Sequence, residues 1–200
     1  MAIPHFTERD PLAPGFWDER FAQHFMPWDQ GGVPPELARF MARSPAPLTT
    51  LIPGCGMGYE VRHLAQAGWP VTAIDFSPTA VEAAKAALGE FAGHVQQADF
   101  FSFVPAQAIG FIYERAFLCA MPRARWADVI AQWAALLAPG ALLGGFFFYD
   151  GAPKGPPFGA DRAALDALMQ PHFVLIDEAP AEQSIAVFAG KEIWQVWQRR

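Results

Sequence analysis

The stretch LTTLIPGCGMG, residues 48–58, decides the fold of this chain. A short apolar run ends in a proline, and glycines follow at the alternate positions 54, 56 and 58. Because glycine has no Cβ, a turn of this kind lets a ligand approach the backbone closely. Residues 59–67 are typical of a helix, and the apolar run 71–74 after them ends in Asp75. Strand, glycine turn, helix, strand and acid in this order predict a nucleotide-binding crevice, in which the acid suits the two hydroxyls of a ribose.

The rest of the chain alternates between strand patterns and helix patterns. Strands are predicted at 48–52, 70–74, 94–98, 109–113, 141–149, 173–177 and 192–198, and helices at 58–67, 78–88, 123–138 and 163–170. Strands separated by helices indicate a mainly parallel sheet with right-handed crossovers. The last strand follows a connection without a helical pattern, so we expect it to run antiparallel to the strand before it. The predicted fold class is α/β: a Rossmann-like, mostly parallel sheet of seven strands with an antiparallel last strand and helices on both faces.

The N-terminal part of the chain does not follow this alternation. Aromatic residues recur at helical spacing over residues 16–25, and a second helix is predicted from about 34 to 43. Both helices precede the first strand, so we expect residues 1–45 to fold as a helical lid over a core of residues 46–200. Lid and core together form the one domain predicted for residues 1–200.

Composition limits the kinds of partner. Acidic residues outnumber basic residues by 20 to 14 and no basic block interrupts that balance, which argues against nucleic acid. The longest apolar run, residues 141–149, is half of the roughly 18 residues that a membrane span needs. The N-terminus has no signal-peptide pattern. We therefore predict a cytoplasmic protein with a small-molecule substrate and no nucleic-acid or membrane partner, present as a monomer or a weak homodimer.

The cysteines and histidines do not indicate a metal site. Cys55 and Cys119 lie in apolar surroundings, as free thiols of a reducing compartment do. The five histidines form no cluster with the spacing of metal ligands. We predict no metal.

The glycine turn alone does not distinguish a dinucleotide from a methyl donor. Its spacing, Gly54-x-Gly56-x-Gly58, is tighter than the turn that brings a pyrophosphate to a helix N-terminus. The third strand ends in Asp99-Phe100, an acid that accepts from an exocyclic amine and a ring that stacks on adenine. S-adenosylmethionine (SAM) has ribose and adenine but no phosphate, so the pattern favours SAM as the cofactor. An NAD-dependent oxidoreductase is the alternative.

Four segments, in order along the chain, carry a resemblance to a known family. They are Pro27-Trp28-Asp29-Gln30-Gly31, Ile52-Pro53-Gly54-Cys55-Gly56, Phe117-Leu118-Cys119-Ala120 and Gly155-Pro156-Pro157-Phe158. Through them the chain resembles the thiopurine methyltransferase-like superfamily of class I SAM-dependent methyltransferases, and most closely its halide/thiol methyltransferase branch. The resemblance implies the Rossmann-like class I methyltransferase fold, with SAM as methyl donor and S-adenosylhomocysteine as product.

The resemblance also implies roles for single residues. It places three aromatic side chains around the methionine end of SAM, the glycine turn beside the methionine moiety, and acids at the ribose and the adenine. The predicted cofactor-binding residues are Trp17, Phe21, Trp28, Gly54, Gly56, Asp75, Phe76, Asp99, Phe100 and Arg115. Phe21 departs from the halide/thiol branch, which usually has Trp there, and it lacks the indole N–H donor. Arg115 matches the thiopurine enzymes, whereas the halide/thiol branch often has Tyr.

The acceptor side is predicted from the chemistry of transfer. Methyl transfer from a sulfonium is an in-line displacement, so the enzyme mainly aligns nucleophile, methyl and sulfur. A soft anion needs no general base, and the sequence offers no obvious one. Arg115 is the predicted catalytic residue, which supplies positive charge or orients a water, and pairing with Glu114 or another acid is the alternative. The predicted substrate-binding wall consists of Trp28, Phe117, Tyr149 and Phe158, with Phe147 beside them. Core packing is the alternative for Phe117 and Phe147.

The predicted function is therefore that of a SAM-dependent S-methyltransferase. Its acceptors are small soft nucleophiles: thiols and hydrosulfide first, then halides or thiocyanate. Methylation of thiopurines and other aromatic thiols, or of tellurite and selenite, is the alternative within the same family. A SAM-binding sensor without turnover is the alternative from another class.

Overall fold

The structure is a computed structural model that describes residues 4–200, so residues 1–3 of the predicted lid lie outside the described residues. The strands are β1 Thr50–Pro53, β2 Val71–Asp75, β3 Val95–Gln97, β4 Ile109–Arg115, β5 Leu137–Phe148, β6 Phe173–Pro180 and β7 Glu192–Arg199. They form a seven-stranded sheet in the order β3-β2-β1-β4-β5-β7-β6. The pairs among β1 to β5 are parallel, and β7 runs antiparallel to both β5 and β6. The predicted α/β class and the antiparallel last strand are confirmed.

Helices cover both faces of this sheet. They are α1 Pro14–Ala22, α2 Pro35–Arg43, α3 Tyr59–Gln66, α4 Pro78–Leu88, α5 Trp126–Leu136 and α6 Arg162–Met169. Side chains of a strand alternate between the two faces. Phe111 and Tyr113 of β4 accordingly pack with α2, α3 and α4, whereas Ile112 packs with α5 and α6. The sheet is therefore buried on both sides, as its continuous apolar strands predict.

The boundary between α5 and β5 differs from the prediction. A helix was expected to continue to residue 138, but α5 ends at Leu136 and β5 begins at Leu137. Leu137 pairs with Ile109 of β4, so sheet pairing replaces the helical pattern there. Pro139 has no N–H to continue a helix. Sheet pairing therefore determines the conformation of the last residues that the apolar periodicity assigns to the helix.

The two N-terminal helices occupy different places. Helix α1 lies beside α4, whereas α2 packs on the sheet. Leu37 of α2 is fully buried, and the ring of Phe40 stacks on Phe111 with centroids 4.5 Å apart. Across residues 4–200, no helix has the length and apolar character that crossing a membrane would require.

Candidate active site

A cavity of about 700 Å³ opens at the carboxyl ends of β1, β2 and β4. The strand order reverses between β1 and β4. Open α/β sheets bind ligands at such a switch point, outside the carboxyl ends of the strands. The volume lies within the range of small-molecule sites. The wall is built from the glycine turn after β1, the acid ending β2, the residues after β3, the end of β4, and α1 with the chain after it.

The glycine turn leaves space for a ligand on one side and contacts the opposite wall on the other. Gly54 and Gly56 have φ angles of 61° and 52°, a region that residues with a Cβ rarely adopt. A Cβ built on Gly56 would meet no protein atom within 4 Å. A Cβ on Gly54 would lie 2.8 Å from Cδ2 of Phe117, so the ring of Phe117 rests on the backbone of the turn. Gly56 thus provides room, and Gly54 provides a close contact.

Asp75 ends β2 and faces the cavity as a buried carboxylate. Its Oδ1 accepts the backbone N–H of Ser77 at 3.0 Å. Burial raises the pKa of Asp75 to about 6, although backbone N–H groups oppose that rise. A desolvated carboxylate that lacks a cationic partner is an acceptor for hydroxyl donors such as those of a ribose.

The residues after β3 form the next part of the wall. Phe100 is buried, and its ring meets that of Phe117 edge-on with centroids 4.9 Å apart. Asp99 is exposed, and its Oδ1 accepts the backbone N–H of Phe101 at 3.0 Å. Phe76, Asp99, Phe100 and Phe101 all line the cavity. The structure therefore brings the predicted adenine residues to the same cavity as Asp75.

Three aromatic residues close the cavity from the N-terminal side. The rings of Trp17 and Trp28 meet edge-on with centroids 5.3 Å apart, and Phe21 lies 6.2 Å from Trp28. The indole N–H of Trp17 donates to the carbonyl of Pro11 at 2.8 Å. All three rings line the cavity, together with residues 25–30 and Gly32. No residue of α2 lies in that wall, so α1 and the chain after it form the cover.

Asp18 attaches this cover to the core, and the sequence analysis missed it. Its Oδ1 accepts the hydroxyl of Ser77 at 2.6 Å and the backbone N–H of Thr79 at 3.1 Å, both at the start of α4. Ser77 also donates its backbone N–H to Asp75, so one serine contacts the acid of the cover and the acid of the cavity. No local pattern marks Asp18, because Ser77 lies 59 residues further along the chain.

Arg115 ends β4 in the cavity wall. Its guanidinium donates to Oε1 of Gln30, and its Nη1 lies 3.9 Å from Oε1 of Glu60. Burial lowers the pKa of Arg115, but nearby Tyr113 and Glu60 more than offset this and raise it overall. Arg115 is therefore held in its charged form beside the cavity.

The acid that lies beside Arg115 is Glu60 and not Glu114. Oε1 of Glu114 accepts the backbone N–H groups of Phe117 at 3.0 Å and Leu118 at 2.7 Å, so it holds the turn after β4. The acid beside Arg115 is Glu60, which accepts the hydroxyl of Tyr113 at 3.3 Å and lines the cavity. Sequence reasoning missed Glu60. The available signal was its position two residues after the last glycine of the turn.

The structure brings some of the predicted acceptor residues to the cavity and not others. Trp28 and Phe117 line it. Tyr149 points away and donates its hydroxyl to Oε1 of Gln195 at 3.1 Å, because strand alternation places it on the face of α5 and α6 with Phe147. Phe147 is 1% exposed and belongs to the core. The ring of Phe158 packs with that same core rather than in the cavity wall.

The residues just before Phe158 line the cavity, whereas Phe158 itself does not. Gly155, Pro156 and Pro157 line the cavity. The guanidinium of Arg123 holds this loop by donating to the carbonyls of Ala152 at 2.6 Å, Pro153 at 3.4 Å and Gly159 at 2.8 Å. We call Trp28, Ala116, Phe117 and residues 155–157 the acceptor wall, after the role that we propose for them below.

Two further predictions concern the cysteines and a metal. Cys55 and Cys119 are free and buried, and burial raises the pKa of both thiols well above its usual range. Within residues 4–200, no three His, Cys, Asp or Glu side chains are grouped as a metal site requires. The absence of a metal stays a prediction.

Comparison with known proteins establishes the family. The sequence profile of the thiopurine S-methyltransferase (TPMT) family matches residues 12–200. The chain belongs to the TPMT family. Thiocyanate methyltransferase 1 of Arabidopsis thaliana is 28% identical over 198 residues, which cover 92% of this chain and 85% of that protein. Thiopurine S-methyltransferase of Shewanella sp. (strain ANA-3) is 27% identical over 184 residues, covering 81% and 84%.

Solved structures of other proteins share the fold of this chain. The crystal structure of Burkholderia thailandensis 1,6-didemethyltoxoflavin-N1-methyltransferase, with S-adenosylhomocysteine bound, superposes with a TM-score of 0.74. It is 16% identical, and the match covers 93% of this chain and 86% of that one. A structural similarity at such a low sequence identity shows the fold alone. This fold is that of class I SAM-dependent methyltransferases. Family and fold together make the chain a SAM-dependent methyltransferase.

The cavity itself fits SAM. Gly56 leaves open space beside the turn, and Asp75 presents a buried carboxylate that has no cationic partner within residues 4–200. Aromatic rings line the same cavity, and ring faces stack on a planar base and attract a cation such as a sulfonium. The donor set therefore matches a ribose, an adenine and a positively charged sulfur.

Proposed function

We propose that the protein is an S-methyltransferase that transfers the methyl group of SAM to small soft nucleophiles. Thiols and hydrosulfide come first among these acceptors, and thiocyanate and halides second. The observation that carries the proposal is that one cavity joins the SAM-type residues to an apolar acceptor wall beside the charged Arg115. The thiocyanate, thiol and thiopurine methyltransferases among its relatives support the same class of acceptor.

The donor would be held by residues on the side of β1 to β3. Asp75 would accept from the ribose hydroxyls, and Asp99 with Phe100 would contact the adenine. The backbone of Gly54 and Gly56 and the rings of Trp17, Phe21 and Trp28 would enclose the methionine end. When bound, SAM supplies a methyl group on a positively charged sulfur that leaves as a neutral thioether.

The acceptor wall would do its work by alignment and desolvation. Phe117, fixed between Gly54 and Phe100, limits where an acceptor sits relative to the glycine turn. The apolar wall removes water from a soft anion, which strengthens every electrostatic interaction inside the cavity. Arg115 offsets the cost of bringing that negative charge out of water.

An acceptor panel tests the proposal. Purified protein is incubated with SAM carrying a labelled methyl group and, in turn, with alkyl thiols, hydrosulfide, thiocyanate, iodide, a thiopurine, and tellurite or selenite. We expect volatile methylated thiols and thiocyanate or halide products in the headspace. Binding of SAM without methylation of any acceptor would overturn the proposal and favour a sensor.

Aromatic thiols, including thiopurines, are the second candidate. The planar, charged guanidinium of Arg115 favours them, since it pairs with a delocalised thiolate. In the same panel, kcat/KM for the thiopurine above that for alkyl thiols would favour this candidate.

We further propose that residues 1–45 act as the lid on a core of residues 46–200 within one domain. Helix α1 and the chain after it would be the moving part, because α2 packs on the sheet. The protein would work in the cytoplasm as a monomer or a weak homodimer. Light scattering coupled to size-exclusion chromatography measures the mass, and a larger assembly would contradict this.

A further inference from the structure

Glu60 is a buried acid in the cavity wall to which the proposed function assigns no task. It lies in the first turn of α3 and is 7% exposed. Its Oε1 accepts a hydrogen bond from the hydroxyl of Tyr113 at 3.3 Å and lies 3.9 Å from Nη1 of Arg115. Both distances exceed those of a strong charge-assisted hydrogen bond. Among the residues that the structure describes, this Nη1 atom is buried without a hydrogen-bond partner.

The proposed acceptors differ in whether they carry a proton. An alkyl thiol has a pKa near 8.5 or above, so it is mostly neutral at pH 7. The thiolate, not the thiol, is the nucleophile. Thiocyanate and iodide have no proton to lose at this pH. A base in the cavity would therefore speed methylation of alkyl thiols and leave methylation of thiocyanate and iodide unchanged.

We propose that Glu60 is the proton acceptor for acceptors that enter the cavity as neutral thiols. The thiol sulfur gains the methyl carbon while its proton passes to a carboxylate oxygen of Glu60. The electron pair of the broken sulfonium C–S bond stays on the departing sulfur, which becomes neutral. Glu60 then gives its proton to water after the products leave. This inference rests on the proposed function and adds neutral thiols to its acceptors.

The groups around Glu60 suit this task. Burial raises its pKa, which makes the carboxylate a better base than an exposed one, and Arg115 and Tyr113 oppose that rise. Tyr113 and Arg115 face it from β4, Asp29 from the chain after α1, and Cys55 and Tyr59 from the glycine turn and the start of α3. The positive charge of Arg115 beside Glu60 also favours the thiolate once the proton has moved.

The test compares two acceptors in one variant. In Glu60→Gln the shape is kept and the base is lost. We expect kcat/KM for 2-mercaptoethanol to fall by about 10²-fold, the usual share of a general base, and kcat/KM for thiocyanate to change by less than about threefold. The dissociation constant of SAM, measured by calorimetry, should stay within about threefold of the wild-type value. Thiol activity of Glu60→Gln should recover as the pH rises and the free thiol ionises.

A matched variant controls for the loss of a buried glutamate. Glu36 also lies in the first turn of a helix, is 3% exposed and accepts the backbone N–H of Glu182 at 2.7 Å, but it does not line the cavity. Glu36→Gln should leave the ratio of thiol to thiocyanate activity unchanged. Glu60→Asp, which keeps a carboxylate, should retain more thiol activity than Glu60→Gln.

Each other outcome overturns the inference in a recognisable way. If Glu60→Gln lost equal activity towards the thiol and thiocyanate, or bound SAM more weakly to the same extent, Glu60 would serve donor binding or the fold. The proposed function would still stand. Wild-type activity on thiocyanate alone would remove the need for a base. Wild-type protein that methylates neither acceptor would overturn the proposed function itself.

Discussion

A Cβ on Gly54 would lie 2.8 Å from Cδ2 of Phe117, so the turn after β1 and the acceptor wall are in direct contact. The ring of Phe117 is fixed on its other side by Phe100 at 4.9 Å. The carboxylate of Glu114 accepts a hydrogen bond from the backbone N–H of Phe117. The glycine turn and the acceptor wall therefore share one aromatic side chain, which a Cβ at position 54 would displace.

Gly54→Ala should damage the site through this contact. The left-handed φ of 61° alone costs about 1–2 kcal/mol for a residue with a Cβ, and the collision with Phe117 adds to it. We expect a larger drop in the free energy of unfolding, measured in urea, than for Gly190→Ala. Gly190 has a φ of 73° and open space around a built Cβ, so it isolates the backbone cost. Equal losses in the two variants would mean that Phe117 moves aside freely.

SAM binding should weaken as the pH falls through the pKa of Asp75. Burial raises this pKa to about 6, so at pH 5 roughly one molecule in ten still has the ionised carboxylate. We expect the dissociation constant of SAM, measured by calorimetry, to rise close to tenfold between pH 7 and pH 5. Asp75→Asn should weaken binding at pH 7 by about 1–3 kcal/mol and remove this pH dependence. A wild-type affinity that is flat across this range would exclude Asp75 from the ribose site.

The same group should make the protein without ligand less stable at higher pH. The folded protein binds the proton of Asp75 up to about pH 6, whereas the unfolded chain releases it near pH 4. Stability from this group is therefore lost as the pH rises from about 4 to about 6. Asp75→Asn should raise the urea midpoint relative to the wild type at pH 8 and have less effect near pH 4. The opposite order would show that the carboxylate is stabilised by contacts other than those described.

Asp18→Ala should loosen the cover without unfolding the core. It removes the acceptor for the hydroxyl of Ser77 and for the backbone N–H of Thr79. We expect faster proteolytic cleavage within α1 and several-fold weaker SAM binding, with little change in the urea midpoint. Glu19→Ala is the control on the same helix, because Glu19 binds the backbone of Thr7 and not α4. Similar effects of both variants would place the attachment of α1 elsewhere.

Arg123→Ala should affect the acceptor more than the donor. The guanidinium binds three carbonyls of the loop that carries residues 155–157 of the acceptor wall. We expect KM for the acceptor to rise at least fivefold, with the dissociation constant of SAM unchanged. Arg199→Ala is the matched control, since Arg199 binds the carbonyls of Ala134 and His172 away from the cavity. A parallel rise in both constants would make Arg123 a general structural residue.

Part of the predicted donor site was within reach of sequence reasoning, because these residues lie at the end of a strand or shortly after it. Gly54 and Gly56 come after β1, Asp75 ends β2, and Asp99 comes just after β3, so the parallel order alone brings them to one edge. Side-chain direction was harder to predict. Tyr149 lies at the right end of β5 but on the face of α5 and α6.

The sequence by itself determined the α/β fold, the TPMT family and the strand ends at which the cavity opens, because apolar periodicity, short motifs and a glycine turn are local signals. The tertiary structure decided which side chains contact one another around the cavity. Ser77 joins Asp18 to Asp75 only because α1 lies on α4, and Arg115 meets Glu60 only because β4 lies beside β1. Such contacts join residues far apart along the chain, and their geometry follows from packing that no short pattern records.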